Sequence, residues 1–140
     1  MKERYKFRLP LKVRFADIDS QGHVYFMNYL GYCDEGLMAY FEELGLAWSE
    51  LEKRKLGFSY VDTGCEFKGS ARFAEELDVH TRISRLGNSS LEAELAVFHS
   101  GSGELIATGR MVGVFVDAQT GKSCPIPDDF RTNVQKYQGD

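Results

Sequence analysis

Four residues that can carry chemistry lie within seven positions near the start of the sequence. Asp17, Asp19, Gly22 and His23 occur in the stretch ADIDSQGHVYFMNYL, residues 16–30. A helix cap needs only one short polar residue, so this stretch holds more acid–base groups than capping requires. A carboxylate beside a helix start suits acyl transfer, because free N–H groups there polarise a substrate carbonyl while the carboxylate attacks it or directs water.

The carboxylates and the histidine also have structural interpretations. Asp17 or Asp19 can cap the helix or shape the turn through local hydrogen bonds. Gly22 would let the backbone approach a ligand closely. His23, taken alone, is more often a buried hydrogen-bonding residue than a catalyst. Residue types and spacing leave both interpretations open.

The flanking pattern predicts the elements that position this motif. Residues 5–15, YKFRLPLKVRF, alternate apolar with mostly basic side chains and predict a strand, in which Pro10 indicates an edge position or a bulge. Between residues 26 and 44 apolar side chains recur every three or four positions, which predicts one long helix that Gly45 ends.

A short second helix and a β-rich half follow. Residues 48–58 predict the short helix, with Ser49 and Glu52 as a capping box and Gly57 at its end. Four later segments predict strands: residues 58–73, 76–86, 90–100 and 104–117. Short connections join the last three, which predicts an antiparallel meander. PIPDDF, residues 125–130, predicts the start of a short terminal helix.

Length and composition limit the class of protein. The 140 residues are 43% hydrophobic and 27% charged, which excludes a disordered or collagen-like chain. We expect one α+β domain, residues 1–140, with an antiparallel sheet of about five strands curled around the long helix. The formal charge of −4 gives no overall footprint for nucleic acid or an anionic membrane.

The remaining sequence signals concern metals, cofactors and location. The three cysteines are widely spaced and match no zinc pattern, so we expect reduced thiols, no metal and no cofactor. The first ten residues are charged and lack the apolar region of a signal peptide. No apolar run reaches the length of a membrane span. These signals predict a cytoplasmic protein that does not bind membranes.

The motif and the order of elements resemble the hotdog-fold acyl-CoA thioesterases of the 4-hydroxybenzoyl-CoA thioesterase type. These proteins share an Asp-x-Asp-x-x-Gly-His/Val-Val stretch ahead of a long central helix, which RFADIDSQGHVYFMNYLGYCDEGLMAYFEELGL matches. The resemblance continues through CEFKGSARFAEELDVHTRI and SSLEAELAVFHSGSGELIATGRMVGVFVD to PIPDDF, and so covers nearly the whole chain. It implies a hotdog fold and a hydrolase that converts an acyl-CoA thioester to a carboxylic acid and free CoA.

The resemblance also implies roles for particular residues. Asp19 is the catalytic carboxylate, either as nucleophile or as general base, and the backbone N–H of Phe26 polarises the thioester carbonyl. The residues that line the pocket are then Asp17, Gly22, His23 and Tyr29. The CoA-binding residues are Arg85, Gly87, Asn88 and Ser89, in the loop SRLGNSS, where the family's basic run is reduced to one arginine. The family's active site lies at a dimer interface, which implies a homo-oligomer, either a dimer or a homotetramer.

Three rival functions stay open at this point. A non-catalytic acyl-thioester binder is disfavoured by the complete motif around Asp19. A thioesterase for acyl-carrier-protein is disfavoured by the net acidic charge, because carrier proteins are acidic themselves, although a local basic patch would reverse that argument. A hydratase would need an Asp/His arrangement farther along a longer chain, and the sequence does not show that spacing.

Overall fold

The computed structural model describes residues 2–139, and its five strands form one antiparallel sheet. The strands are β1 (Phe7–Lys12), β2 (Leu56–Phe67), β3 (Glu76–Leu86), β4 (Ser90–His99) and β5 (Leu105–Asp117). Their order across the sheet is β1-β3-β4-β5-β2. The predicted meander of the last three strands is confirmed, since each is the hydrogen-bonded neighbour of the next. The ends of the predicted domain, residues 1 and 140, lie outside the described residues.

The long helix packs against the sheet and contacts all five of its strands. This helix is α1 (Asn28–Glu43), and the two others are α2 (Trp48–Arg54) and α3 (Asp128–Gln138). Cys33, Leu37 and Phe41 on its predicted apolar stripe are fully or almost fully buried. Gly36 lets the helix approach β3, because a Cβ there would lie 2.5 Å from Val79 Cγ1. The sequence pattern therefore located both the helix and its buried face.

Both edges of the sheet remain open within residues 2–139. β1 pairs only with β3 and carries Pro10 at this edge, as predicted. β2 pairs only with β5, and residues 59–64 in its middle are exposed. A bulge at Val61 interrupts the register of β2. No helix among residues 2–139 is long and apolar enough to cross a membrane.

Several predicted boundaries are wrong at the start of β2. The predicted capping box of Ser49 and Glu52 does not form, because α2 begins after Ala47 with no side-chain cap. The helix ends at Arg54 and not at Gly57, and Lys55 at its C-cap takes the left-handed conformation (φ 57°). The strand then begins at Leu56, because backbone pairing with β5 overrides the helical pattern of the sequence.

The other end of β2 also differs from the prediction. The strand stops at Phe67, whereas the pattern of residues 58–73 predicts a longer one. The chain turns at Arg72–Glu75, where Glu75 N–H donates to Arg72 O over 3.1 Å and Ala74 has φ 68°. Ala74 N–H donates to Val13 O over 3.1 Å, which fixes this turn beside the end of β1. At the end of the chain, α3 has 11 residues and is longer than the short helix expected.

Candidate active site

The candidate carboxylate, Asp19, lies in a tight exposed turn. Its backbone N–H donates to His23 O over 2.8 Å, and Gly22 N–H donates to Asp19 O over 3.0 Å. Its Oδ1 accepts hydrogen bonds from the N–H groups of Gln21 (2.9 Å) and His23 (3.3 Å). Oδ2 has no hydrogen-bond partner among residues 2–139. The turn therefore fixes one carboxylate oxygen and leaves the other available to a substrate.

Gly22 and His23 build this turn. Gly22 has φ 83°, a conformation that side chains disfavour, and nothing lies within 4 Å of the place where a Cβ would stand. Backbone geometry therefore explains the glycine. His23 forms a bridge with Arg72, and its Nδ1 lies 3.2 Å from Ser70 Oγ. The turn that holds Asp19 is thereby tied to the segment that follows β2.

Asp17 has a different environment from Asp19, because the residue is buried, with only 4% of its surface exposed. Its Oδ2 accepts hydrogen bonds from Arg14 N–H and the Tyr32 hydroxyl, each over 2.9 Å, and its Oδ1 accepts one from Arg14 Nη2 over 2.9 Å. Burial raises the pKa of Asp17, but these hydrogen bonds outweigh burial and hold the pKa below its usual value. Burial and the bond to Asp17 together raise the pKa of Tyr32, so its hydroxyl remains a donor.

The start of α1 is left without a cap. The residue at the N-cap position, Met27, makes no side-chain cap hydrogen bond, and the first helical turn contains no acidic residue. The N–H groups of Phe26 and Met27 donate to no acceptor within residues 2–139, and Phe26 is 55% exposed. Phe26 lies two residues before the first residue of the helix, in the turn that leads into it. A helix end of this kind attracts negative charge.

An apolar strip runs between α1 and β2 beside this helix end. The ring of Phe26 lies 5.9 Å from that of Phe67, which also packs 5.8 Å from the Tyr29 ring. Farther along, the Tyr60 hydroxyl donates to Asp34 Oδ1 over 2.5 Å. Burial and this bond raise the pKa of Tyr60, so it stays a donor. Ring contacts thus join α1 and β2 at this end, and a polar pair joins them farther along.

Tyr29 is a core residue whose ring packs against Phe67. It is buried, and its hydroxyl oxygen accepts a hydrogen bond from Ala71 N–H over 3.0 Å. Burial raises the pKa of Tyr29. The side chain therefore supports the segment after β2 and presents only its ring towards Phe67.

The predicted CoA-binding loop is held in place mainly by hydrogen bonds that its carbonyl groups accept from other segments. The carbonyls of Gly87, Asn88 and Ser89 accept hydrogen bonds from Arg131 Nη2 (2.7 Å), Ile126 N–H (2.9 Å) and Phe115 N–H (2.8 Å), respectively. Gly87 N–H donates to Ser90 O over 2.7 Å. The N–H groups of Asn88 and Ser89 donate to no acceptor in the described chain, and Arg85 is exposed beside them. The loop thus has two N–H groups without an acceptor in the described chain, and two arginines lie beside it: Arg85, which is exposed, and Arg131, which donates to Gly87 O.

Within one chain, this loop lies far from the Asp19 carboxylate. The Asp19 turn adjoins the segment before β3, and the loop follows the other end of β3. A strand of 11 residues spans about 35 Å at the usual rise per residue. The structure therefore groups Asp17, Asp19, Gly22, His23, Phe26 and Tyr29 at one end of the sheet and Arg85, Gly87, Asn88 and Ser89 at the other.

Sequence reasoning missed several residues of these two regions. The Tyr60–Asp34 pair and Arg131 join elements far apart in sequence, and no local pattern announces such contacts. Asn28 is different, because a polar residue at the start of an apolar helix is a visible signal. Within residues 2–139 no group of three or more His, Cys, Asp or Glu side chains is placed to hold a metal ion.

Comparisons with known proteins agree with this architecture. The family model described as "Thioesterase-like superfamily" matches residues 13–134. A Bacillus subtilis protein named "Putative acyl-CoA thioesterase YneP" is 34% identical over 73 residues, which are 52% of this chain and 53% of that protein. A 1,4-dihydroxy-2-naphthoyl-CoA hydrolase from a Synechococcus species is 25% identical over 126 residues, 86% of this chain and 83% of that one.

A solved structure extends the likeness to three dimensions. The structure of a gentisyl-coenzyme A thioesterase superposes with a TM-score of 0.83 at 31% identity and covers 91% of this chain and 99% of that one. The predicted hotdog fold and the predicted thioester-hydrolase family are confirmed by these matches. Together with the family model, which spans most of the sequence, they establish that this chain belongs to the thioesterase-like superfamily of hotdog proteins.

Proposed function

We propose that this protein is an acyl-CoA thioesterase in which Asp19 and the start of α1 act on the two sides of one reacting carbonyl. The observation that carries the proposal is the uncapped helix start beside a carboxylate with one free oxygen. In a family of thioester hydrolases, free N–H groups at this place can stabilise the oxygen of a tetrahedral intermediate. The N–H of Phe26 is the donor that the family resemblance indicates.

Two routes to hydrolysis fit this arrangement. In the first, Asp19 Oδ2 attacks the thioester carbon, the CoA thiolate leaves and takes a proton, and water then hydrolyses the resulting anhydride. In the second, Asp19 accepts a proton from a water molecule, which attacks the carbon directly. Negative charge develops on the carbonyl oxygen in both routes and is met by the Phe26 N–H. Both routes yield a carboxylic acid and free CoA.

The acyl group has a defined place in this proposal. From a carbonyl held at the helix start, the acyl chain extends over Phe26 and Phe67 towards the Tyr60–Asp34 pair. Two of the relatives named above are named for aryl thioesters, 1,4-dihydroxy-2-naphthoyl-CoA and gentisyl-CoA, which supports a thioester of CoA as the substrate class. Asp17, Gly22, His23 and Tyr29 support the pocket through the turn and the core contacts described above.

A homo-oligomer accounts for the distance between the two regions. Arg85 with Gly87, Asn88 and Ser89 is proposed to bind the CoA phosphates, yet it lies far from Asp19 of the same chain. The open edge of β2, with exposed Val61 at its bulge, is a surface on which a second copy can pair. We therefore propose a dimer, or a tetramer of two dimers, in the cytoplasm, with each CoA held between two copies.

The test measures free-thiol release from a panel of short-chain, long-chain and aryl acyl-CoAs. Wild-type protein should release CoA thiol from at least one member, and Asp19→Asn should not. Absence of release by folded wild-type protein from every acyl-CoA would contradict the proposal. In that case, release from an acylated carrier protein would identify a carrier-protein thioesterase, and tight binding without turnover would identify a thioester-binding protein.

A further inference from the structure

The two parts of the candidate site are joined by a small ring of hydrogen bonds. Asp17 O accepts one bond from Tyr25 N–H (2.9 Å) and another from Asn28 Nδ2 (2.8 Å). Asn28 N–H in turn donates to Tyr25 O over 2.8 Å. Phe26 lies between Tyr25 and Asn28, and Asp19 lies two residues after Asp17, in the loop between Asp17 and Tyr25. The ring therefore couples the position of the carboxylate turn to the position of the Phe26 N–H.

We propose that Asn28 is a positioning residue, whose side-chain amide holds the start of α1 against the Asp17–Asp19 segment and so aligns the Phe26 N–H with the Asp19 carboxylate. This inference rests on the function proposed above. The side chain at position 28 must donate, because its partner is a carbonyl oxygen that already accepts from Tyr25. A carboxylate at position 28 cannot supply this bond, although acidic residues are otherwise favoured in the first turn of a helix.

Asp17 strengthens the same connection through its side chain. Its carboxylate is held by Arg14 and by the hydroxyl of Tyr32, which lies one helical turn beyond Asn28. The carbonyl and the carboxylate of Asp17 thus accept hydrogen bonds from two successive turns of α1. Of the two side-chain bonds between Asp17 and α1, that of Asn28 lies nearer to Phe26, so its loss should alter the angle of the helix end before it affects the rest of the fold.

The chain offers a matched control at the other end of the same helix. Asn133 Nδ2 donates to Leu44 O over 2.9 Å, so it also ties a helix end to another segment by one amide-to-carbonyl bond. Asn133 lies on α3, beside the carboxyl end of α1 and away from Asp19. Loss of either bond should lower stability by a similar amount, whereas only the bond of Asn28 should affect the reaction.

The experiment compares kcat, KM and urea unfolding of wild type, Asn28→Ala, Asn28→Asp and Asn133→Ala on the best acyl-CoA of the panel. For Asn28→Ala we expect kcat to fall at least tenfold, with KM within threefold of wild type. Asn133→Ala should keep kcat within twofold of wild type, while its urea midpoint falls about as far as that of Asn28→Ala. Asn28→Asp should lose more kcat than Asn28→Ala without a larger loss of stability, because its charge opposes the developing oxyanion but favours the helix dipole.

Each outcome bears on the inference separately from the proposed function. Wild-type turnover with unchanged kcat in Asn28→Ala would overturn the positioning role and leave the thioesterase standing. An equal loss of kcat in Asn133→Ala would also overturn it, since the effect would then follow from stability alone. If Asn28→Ala does not fold, Asn28→Ser takes its place under the same kcat criterion. Absence of wild-type turnover on any acyl-CoA would refute the function on which the inference rests.

Discussion

Replacing Asp19 by asparagine separates catalysis from folding at this site. Asparagine keeps an oxygen at Oδ1, so it can still accept the N–H groups of Gln21 and His23 that close the turn. What it lacks is the charge on Oδ2, the oxygen without a partner within residues 2–139. Because Asp19 is exposed, replacing a charged acceptor by a neutral one should cost about 1 kcal/mol of stability or less.

The expected loss of activity is much larger than this loss of stability. A positioned general base contributes roughly 10²- to 10⁴-fold, which is about 2.7–5.5 kcal/mol of transition-state stabilisation, and a nucleophile contributes at least as much. The assay is free-thiol release from the best acyl-CoA, with kcat and KM determined for each variant. Urea unfolding of the same samples gives the change in stability.

Asp117→Asn is the matched control for this variant. Asp117 also closes a turn through Oδ1, which accepts the N–H groups of Gln119 (2.8 Å) and Thr120 (3.1 Å). It is the last residue of β5 and lies outside the proposed site, so its replacement should change stability by a similar small amount and leave kcat intact. If folded Asp19→Asn keeps wild-type kcat/KM, or if both variants lose activity equally, the assignment of Asp19 is refuted.

Three further predictions concern acid stability, CoA binding and assembly. Because the folded protein holds the pKa of Asp17 below its unfolded value, its stabilisation is present above about pH 4 and is lost as pH falls through the folded pKa. The urea midpoint should therefore fall on acidification, and less steeply in Asp17→Asn; equal slopes would contradict this. Arg85→Ala should raise KM about fivefold for acyl-CoA, by loss of roughly 1 kcal/mol, and leave KM for the matching acyl-pantetheine unchanged; a change in both would argue against phosphate contact. Val61→Lys should lower the mass measured by light scattering towards that of one chain, whereas Trp48→Lys, at another exposed apolar position, should not; an unchanged mass would place the interface elsewhere.

Local patterns predicted the elements of this fold well where one interaction dominates. In the first half of β4, buried Leu91, Ala93 and Leu95 alternate with half-buried side chains, and α1 has one apolar stripe. Each pattern is set by one buried face, and the structure places both elements as predicted. Gly45 ends the helix region with φ 87°, the conformation that glycine adopts most readily. Prediction was wrong at both ends of β2, where pairing with β5 starts the strand at Leu56 and the turn before β3 stops it at Phe67.

The candidate site divides in the same way. The sequence identified the Asp19 turn because a carboxylate, a glycine and a histidine at this spacing form a local structure. It placed the polarising N–H at Phe26 on a resemblance, and the structure adds that this N–H has no acceptor in the described chain. The ring through Asn28 and Asp17 was not predicted, because the side-chain bond that closes it spans eleven positions and crosses from the turn to the helix.

By itself, the sequence determined the order of strands and helices, the buried face of α1 and the turn that carries Asp19. These features depend on residues a few positions apart, whose periodicity and turn chemistry act locally. Only the tertiary structure decided which N–H groups stay free, which sheet edges stay open and how far the Arg85 loop lies from the carboxylate. Those properties depend on how distant segments meet, and a hydrogen bond or a gap between such segments leaves no periodic trace along the chain.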